Sequence, residues 1–144
     1  MIVALARVAE NAYGKCLIAT GPVATGVAVA QFSGPIVAWS DVPEAEVRHA
    51  LLIDDRNWLI PTTDARWVNH ACEPNCTVDD DLRIVTARPV AAGEEFTISY
   101  NDGRRSDFLA HPESFFWDAR WSFDCACGAR TCQGRIAGYR LLDG

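Results

Sequence analysis

Short alternations of apolar and polar positions run along the whole chain, each cut off by a glycine, a proline or an acidic turn. Residues 2–8 read as a strand, 13–15 as a turn and 17–19 as a second strand. Residues 27–32 form a third, ending at Ser33-Gly34-Pro35. Helical character shows in one place. Asp41-Val42-Pro43-Glu44 has the form of a helix start, with Asp41 as cap, Glu44 bonding back and Pro43 tolerated in the first turn. Val47, Ala50 and Leu51 would be its apolar face. Residues 54–57 predict a hairpin turn between 51–53 and 58–60, and 79–81 another between 77–78 and 82–87. Phe96, Ile98 and Tyr100 alternate with Thr97 and Ser99, which places Ile98 beside Tyr100 on one strand face. Beyond Asn101-Asp102-Gly103 the pattern is irregular. Phe115, Phe116 and Trp117 are assigned to packing, ahead of Trp121, Phe123 and the last cysteines. The fold class is mainly β, many short strands with little helix.

One stretch needs separate treatment. Residues 16–40 carry no charge and are long enough to span a bilayer. Gly21-Pro22, Gly26, Gln31 and Gly34-Pro35 break the run, so it reads as buried strands and turns, not a membrane helix. The chain has 144 residues, enough for one domain with a real core. Thirteen basic against nineteen acidic residues give a net charge of -6. That argues against direct nucleic-acid binding and suits a basic protein or peptide partner; solubility alone would also explain it. Lys15 is the only lysine. Arg7 and Glu10 interrupt the opening apolar run, which makes it a poor signal peptide. A soluble intracellular protein is expected, cytoplasmic in a bacterium or nuclear in a eukaryote. In a reducing compartment, six cysteines turn towards metal binding.

The densest chemistry lies in Asn69-His70-Ala71-Cys72-Glu73-Pro74-Asn75-Cys76: an amide, an imidazole and two thiols around a proline. Burying such groups is costly unless each has a partner. Candidate partners are Gly93-Glu94-Glu95-Phe96-Thr97-Ile98-Ser99-Tyr100 and Cys125-Ala126-Cys127-Gly128 followed by Cys132.

Together these segments resemble the SET-domain family of protein lysine methyltransferases with its post-SET zinc element. The family's Arg-Phe-x-Asn-His-Ser-Cys-x-Pro-Asn is similar to Arg66-Trp67-Val68-Asn69-His70-Ala71-Cys72-Glu73-Pro74-Asn75. Its Gly-Glu-Glu-Leu-Thr-Phe-Asp-Tyr corresponds to residues 93–100, and its Cys-x-Cys-x4-Cys to Cys125, Cys127 and Cys132. Its opening Gly-x-Gly-Leu-Phe-Ala is partly kept as Gly14-Lys15-Cys16-Leu17-Ile18-Ala19. The likeness implies a SET domain over 1–110, an insert near 38–62 and a zinc-binding tail over 111–144. It implies a fold of small sheets in which the C-terminal segment passes under an earlier loop as a pseudoknot.

The resemblance also implies roles. Tyr100 would be the catalytic tyrosine and S-adenosylmethionine the methyl donor. Asn69 would hold the donor by its side chain and His70 by its backbone, with Arg66 near the same pocket. Lys15, Cys16 and Leu17 would add backbone contacts. Phe32 and Ile98 would line the substrate channel, Ile98 at the family's Phe/Tyr switch. Trp121 and Phe123 would cover the donor or wall the channel, with core packing as the alternative. Cys72 would join Cys125, Cys127 and Cys132 around a structural Zn2+, leaving Cys16 and Cys76 as free thiols. The substrate would be a lysine in a basic tail of a histone or histone-like protein. The alternatives are an inactive SET domain that binds a basic peptide, and a structural zinc protein without ligand. Oligomeric state is open, a homodimer included.

Overall fold

The computed structural model describes residues 4–54 and 56–142. Strand β1 (Ala6–Asn11) turns through Ala12 and Tyr13 into β2 (Gly14–Ala19), an antiparallel hairpin in register from Ala6↔Ala19 to Asn11↔Gly14. The first strand lies further along the chain than 2–8, and residues 1–3 fall outside the described residues. Gly14, at φ +118°, is the residue that lets the chain re-enter the hairpin.

Strand β3 (Ala28–Gln31) is followed by β4 (Ile36–Val37), β5 (Leu51–Leu52) and β6 (Trp58–Leu59). The uncharged stretch is thus divided among strands, and no described helix is long and apolar enough to cross a membrane. The helix expected from Asp41 is absent. Two 3-10 turns, Trp39–Asp41 and Glu44–Glu46, stand there instead, and Asp41 lies inside the first rather than capping it. Pro43, extended at φ -60° and ψ 146°, separates them. Leu51 is claimed by pairing with Leu59, so the apolar spacing served a small sheet ordered β4-β6-β5.

Strand β7 (Asn69–His70) precedes the hairpin of β8 (Cys76–Val78) and β9 (Arg83–Thr86). Its acidic turn is built as expected: the Asp79 carboxylate accepts from the Asp81 and Arg83 backbone N–H groups at 3.0 and 2.9 Å. Strand β3 completes that sheet against β9. Then come β10 (Thr97–Ile98), β11 (Asp102–Arg104), the short helix α1 (Arg105–Ala110), β12 (Phe123–Asp124), β13 (Arg135–Ile136) and β14 (Arg140–Leu142). The core is Leu17, Phe32, Ile84, Val90, Phe96, Ile98 and their neighbours, where the β1–β2 hairpin meets the three-stranded sheet.

Two pairings are parallel and non-local: β10 with β7, and β11 with β14. The last strand thereby returns alongside the segment that follows β10. Small sheets with little helix are the architecture that the resemblance implied.

Candidate active site and metal centre

The β7–β10 pair brings the two motifs together, with Asn69 opposite Thr97 and His70 opposite Ile98. The Asn69 amide donates to Lys15 O at 3.1 Å and to Glu95 Oε2 at 2.8 Å. That uses both amide hydrogens and leaves the side-chain oxygen to meet a ligand. The regular alternation expected through Tyr100 stops at Ile98. Beyond it the Tyr100 N–H turns to His70 Nδ1, at 2.9 Å. Ile98 consequently lies in the core, 6% exposed, while Tyr100 as a whole residue is 42% exposed.

That contact fixes the His70 tautomer. A backbone N–H can only donate, so Nδ1 accepts and the ring proton sits on Nε2, 3.4 Å from Cys72 Sγ. Burial lowers the His70 pKa; Asp102 pulls it up, and Arg140 pushes it down again. The Tyr100 hydroxyl donates to the Val68 carbonyl in a partly buried contact. Burial and the Glu95 charge push the phenol pKa well above its ordinary value, so it stays protonated at neutral pH. Phe123 closes a group of rings, 5.5 Å from His70 and 6.0 Å from Tyr100.

The other sequence candidates divide. Cys16 is buried in β2 and has no positive φ; among described non-glycine residues only Leu82 does. Cysteine therefore fits without backbone strain where the family motif has its second glycine. Leu17 is fully buried beside it, and Phe32 belongs to the same core as Ile98. Lys15 Nζ lies 4.5 Å from the centre of the Trp67 ring. Arg66 pairs with Glu46 and donates to Pro61 O at 3.1 Å, tying the insert to the Asn69 segment. Trp121 contacts Trp39, Trp58, Phe116 and Trp117, and its indole N–H donates to Val47 O at 2.8 Å. These are packing contacts that pin the tail to the insert.

The Sγ atoms of Cys72, Cys125, Cys127 and Cys132 lie within 4.8 Å of one another. The Cys72–Cys125 separation is 3.8 Å. A tetrahedron of thiolates about 2.3 Å from zinc has edges of about 3.8 Å, so the set fits that ion. Backbone N–H groups point at two of the sulfurs: Cys72 N at Cys127 Sγ, 3.5 Å, and Gln133 N at Cys72 Sγ, 3.3 Å. Burial raises the Cys127 pKa, but the Cys72 and Ala129 N–H groups and the neighbouring thiols outweigh it and bring it down to about 6. Burial pushes its neighbour Cys125 up, against the pull of the Cys127 N–H, and the adjoining thiols push it further. Protons thus leave this cluster unevenly, and a metal would displace the last of them. Cys16 and Cys76 stand apart as buried free thiols.

Sequence reading missed the residues that hold these parts in place. Glu95 orients Asn69. Buried Asn75 clamps residues 94–97. Asn101, 1% exposed, donates to Gln133 Oε1 and Gly138 O, both at 3.0 Å. Arg140 holds Asp102 through both carboxylate oxygens and donates to Cys72 O at 2.9 Å. The one available signal was that Asn75 ends the first motif and Asn101 directly follows the second.

Comparison with known proteins agrees with this geometry. The SET-domain family profile matches residues 14–101, more than half of the chain, and the chain belongs to that family. A methyltransferase of Aspergillus flavus is 32% identical over 84 residues, covering 56% of this chain and 40% of that protein. A histone H3 lysine-4-specific methyltransferase of Kluyveromyces lactis is 30% identical over an alignment covering 92% of this chain and 14% of that protein. The chain thus spans less than half the length of these relatives. The structure of a Plasmodium falciparum candidate histone methyltransferase superposes with TM-score 0.61 at 14% identity, covering 69% of this chain and 96% of that one. That likeness supports the fold of small β-sheets.

Proposed function

We propose that this protein is an S-adenosylmethionine-dependent protein-lysine N-methyltransferase whose substrate is a lysine in a basic tail of a histone or histone-like protein. One observation carries the reading: the Tyr100 phenol, held by the Val68 carbonyl, stands beside the Asn69–His70 strand. The relatives named as histone-lysine methyltransferases and the net charge of -6 support the substrate class.

The donor, when bound, supplies a methyl carbon made electrophilic by its sulfonium. The chain's residues do the rest by alignment. The Asn69 side-chain oxygen and the backbone of Lys15, Cys16, Leu17 and His70 hold the donor, and Phe123 covers it. Arg66 and Trp121 act one step removed, fixing the insert against the pocket. The substrate amine must be neutral to attack, and the cationic donor, when bound, would favour loss of its proton to solvent. The Tyr100 oxygen orients that amine, and the neighbouring backbone carbonyls stabilise the polarised methyl. If the substrate channel reaches the core at Phe32 and Ile98, the aliphatic Ile98 has no hydroxyl to hold a water against the amine. Di- and trimethyl-lysine are therefore expected as products. Cys72, Cys125, Cys127 and Cys132 would hold a structural zinc that ties the tail of residues 111–144 to the SET domain of residues 1–110 without entering the chemistry.

The test is transfer of labelled methyl from S-adenosylmethionine to a panel of basic proteins, with donor binding measured by calorimetry. Tyr100→Phe should keep donor affinity and lower kcat by ~10²–10³, the usual effect of removing one oriented hydroxyl. Donor binding with no transfer by the wild type would leave an inactive peptide-binding module.

A further inference from the structure

Two hydrogen-bond routes run from Tyr100 to the same sulfur. On one side the Tyr100 N–H donates to His70 Nδ1, and His70 Nε2–H faces Cys72 Sγ at 3.4 Å. On the other, Asn101 is the next residue along the chain, and its side-chain amide pairs with that of Gln133, Nδ2 to Oε1 at 3.0 Å. The Gln133 side-chain Nε2 and backbone N lie 3.5 and 3.3 Å from Cys72 Sγ. Cys72 Sγ therefore faces three N–H donors, and the two routes close a ring through Tyr100.

We infer that His70 and Gln133 are positioning residues that carry the state of the Cys72 sulfur, metal-bound thiolate or free thiol, to the backbone of Tyr100. This rests on the zinc reading of the cysteine cluster proposed above. A metal-bound thiolate carries charge and accepts all three N–H bonds. A protonated thiol is a weak acceptor and needs an acceptor itself. Loss of metal thus weakens the bonds to His70 and Gln133 together and loosens both routes to the Tyr100 backbone, leaving Asn101 held by Gly138 O and the Arg140 N–H. The metal then does more than fasten the tail: it sets the position of the tyrosine. Outer donors of this kind commonly change metal affinity tenfold to a hundredfold.

The experiment uses the full chain loaded with zinc or cobalt(II), with fluorotyrosine incorporated and the Tyr100 fluorine resonance assigned by Tyr100→Phe. Gln133→Ala removes a half-buried amide, and His70→Ala opens the other route. Should His70→Ala not fold, Gln133→Ala decides alone. Expected for Gln133→Ala are a red-shifted thiolate-to-cobalt charge-transfer band and zinc affinity about 10–100-fold weaker by chelator competition. The Tyr100 resonance of its metal-loaded form should also move towards that of the metal-free wild type. A merely structural role for Gln133 would not move the cobalt band. An unchanged band, affinity and resonance in a variant whose wild type binds metal would overturn this inference alone. A wild type that binds neither ion would overturn the zinc reading and this inference together.

Discussion

Asn75 shows how one side chain can decide a local fold. It is 2% exposed, yet its amide donates to Glu94 Oε2 at 3.1 Å and Glu95 O at 2.8 Å and accepts from the Thr97 N–H at 2.8 Å. Only a primary amide supplies donors and an acceptor in that small space: aspartate lacks the donors, and leucine has neither. Asn75→Ala leaves the partly buried Thr97 N–H and Glu95 C=O without their partner, at up to about 1–3 kcal/mol each. A total loss of about 2–4 kcal/mol is expected in urea unfolding, as a lower midpoint at unchanged slope. Donor affinity should fall with it, because the clamped segment carries Glu95, which orients Asn69. A variant within about 0.5 kcal/mol of wild type, the range of ordinary surface changes, would remove Asn75 from this role. The motif made Asn75 visible, but not its partners. Glu95, Gln133 and Arg140 look in sequence like any solvated polar residue; only the fold shows that Arg140 reaches Asp102 and Cys72.

At the scale of elements, legibility followed locality. The 51–60 and 77–87 hairpins are set by adjacent residues and their acidic turns, and both form about where the pattern puts them. The segment after Asp41 misled because Pro43 and the β5–β6 pairing outweigh a short helical spacing. The parallel β7–β10 and β11–β14 pairs have no local signature, since their partners lie far apart in the chain; only the family resemblance pointed to that topology. Sheet β4-β6-β5 also depends on a close approach the sequence does not advertise. A Cβ on Gly34 would stand 1.8 Å from Ile60 O. The backbone cannot yield there, because Ile60 N donates to Pro35 O and Thr62 N to Ser33 O, both at 2.9 Å. Gly34→Ala should therefore cost about 3–5 kcal/mol, measurable as a large fall in thermal midpoint. Gly21→Ala is the control, since a Cβ there meets nothing within 4 Å.

Over the whole molecule, the two regions differ in what holds them. Leu17, Ile84 and Phe96 are fully buried in one core shared by the β1–β2 hairpin and the three-stranded sheet. The tail after α1 has little of that: Ile136 is its one fully buried large apolar side chain among the described residues. Its other ties are Trp121 in the aromatic cluster, Arg140 on Asp102, and the cysteine set. A segment with so little buried apolar area depends on its cross-links for order. Chelation of zinc should therefore loosen the molecule unevenly. The Cys125 and Cys132 N–H groups, bonded to Gly134 O and Ala129 O within the metal loop, should lose hydrogen-exchange protection by ~10-fold or more. The Phe96 N–H, bonded to Leu17 O inside the core, should keep its protection. Uniform loss at all three sites would mean that the metal supports the global fold, and loss at none that the aromatic and Arg140 contacts suffice. Loss confined to the loop would match the division of labour that the burial pattern predicts, a core that folds on apolar burial and a tail that is fastened by metal.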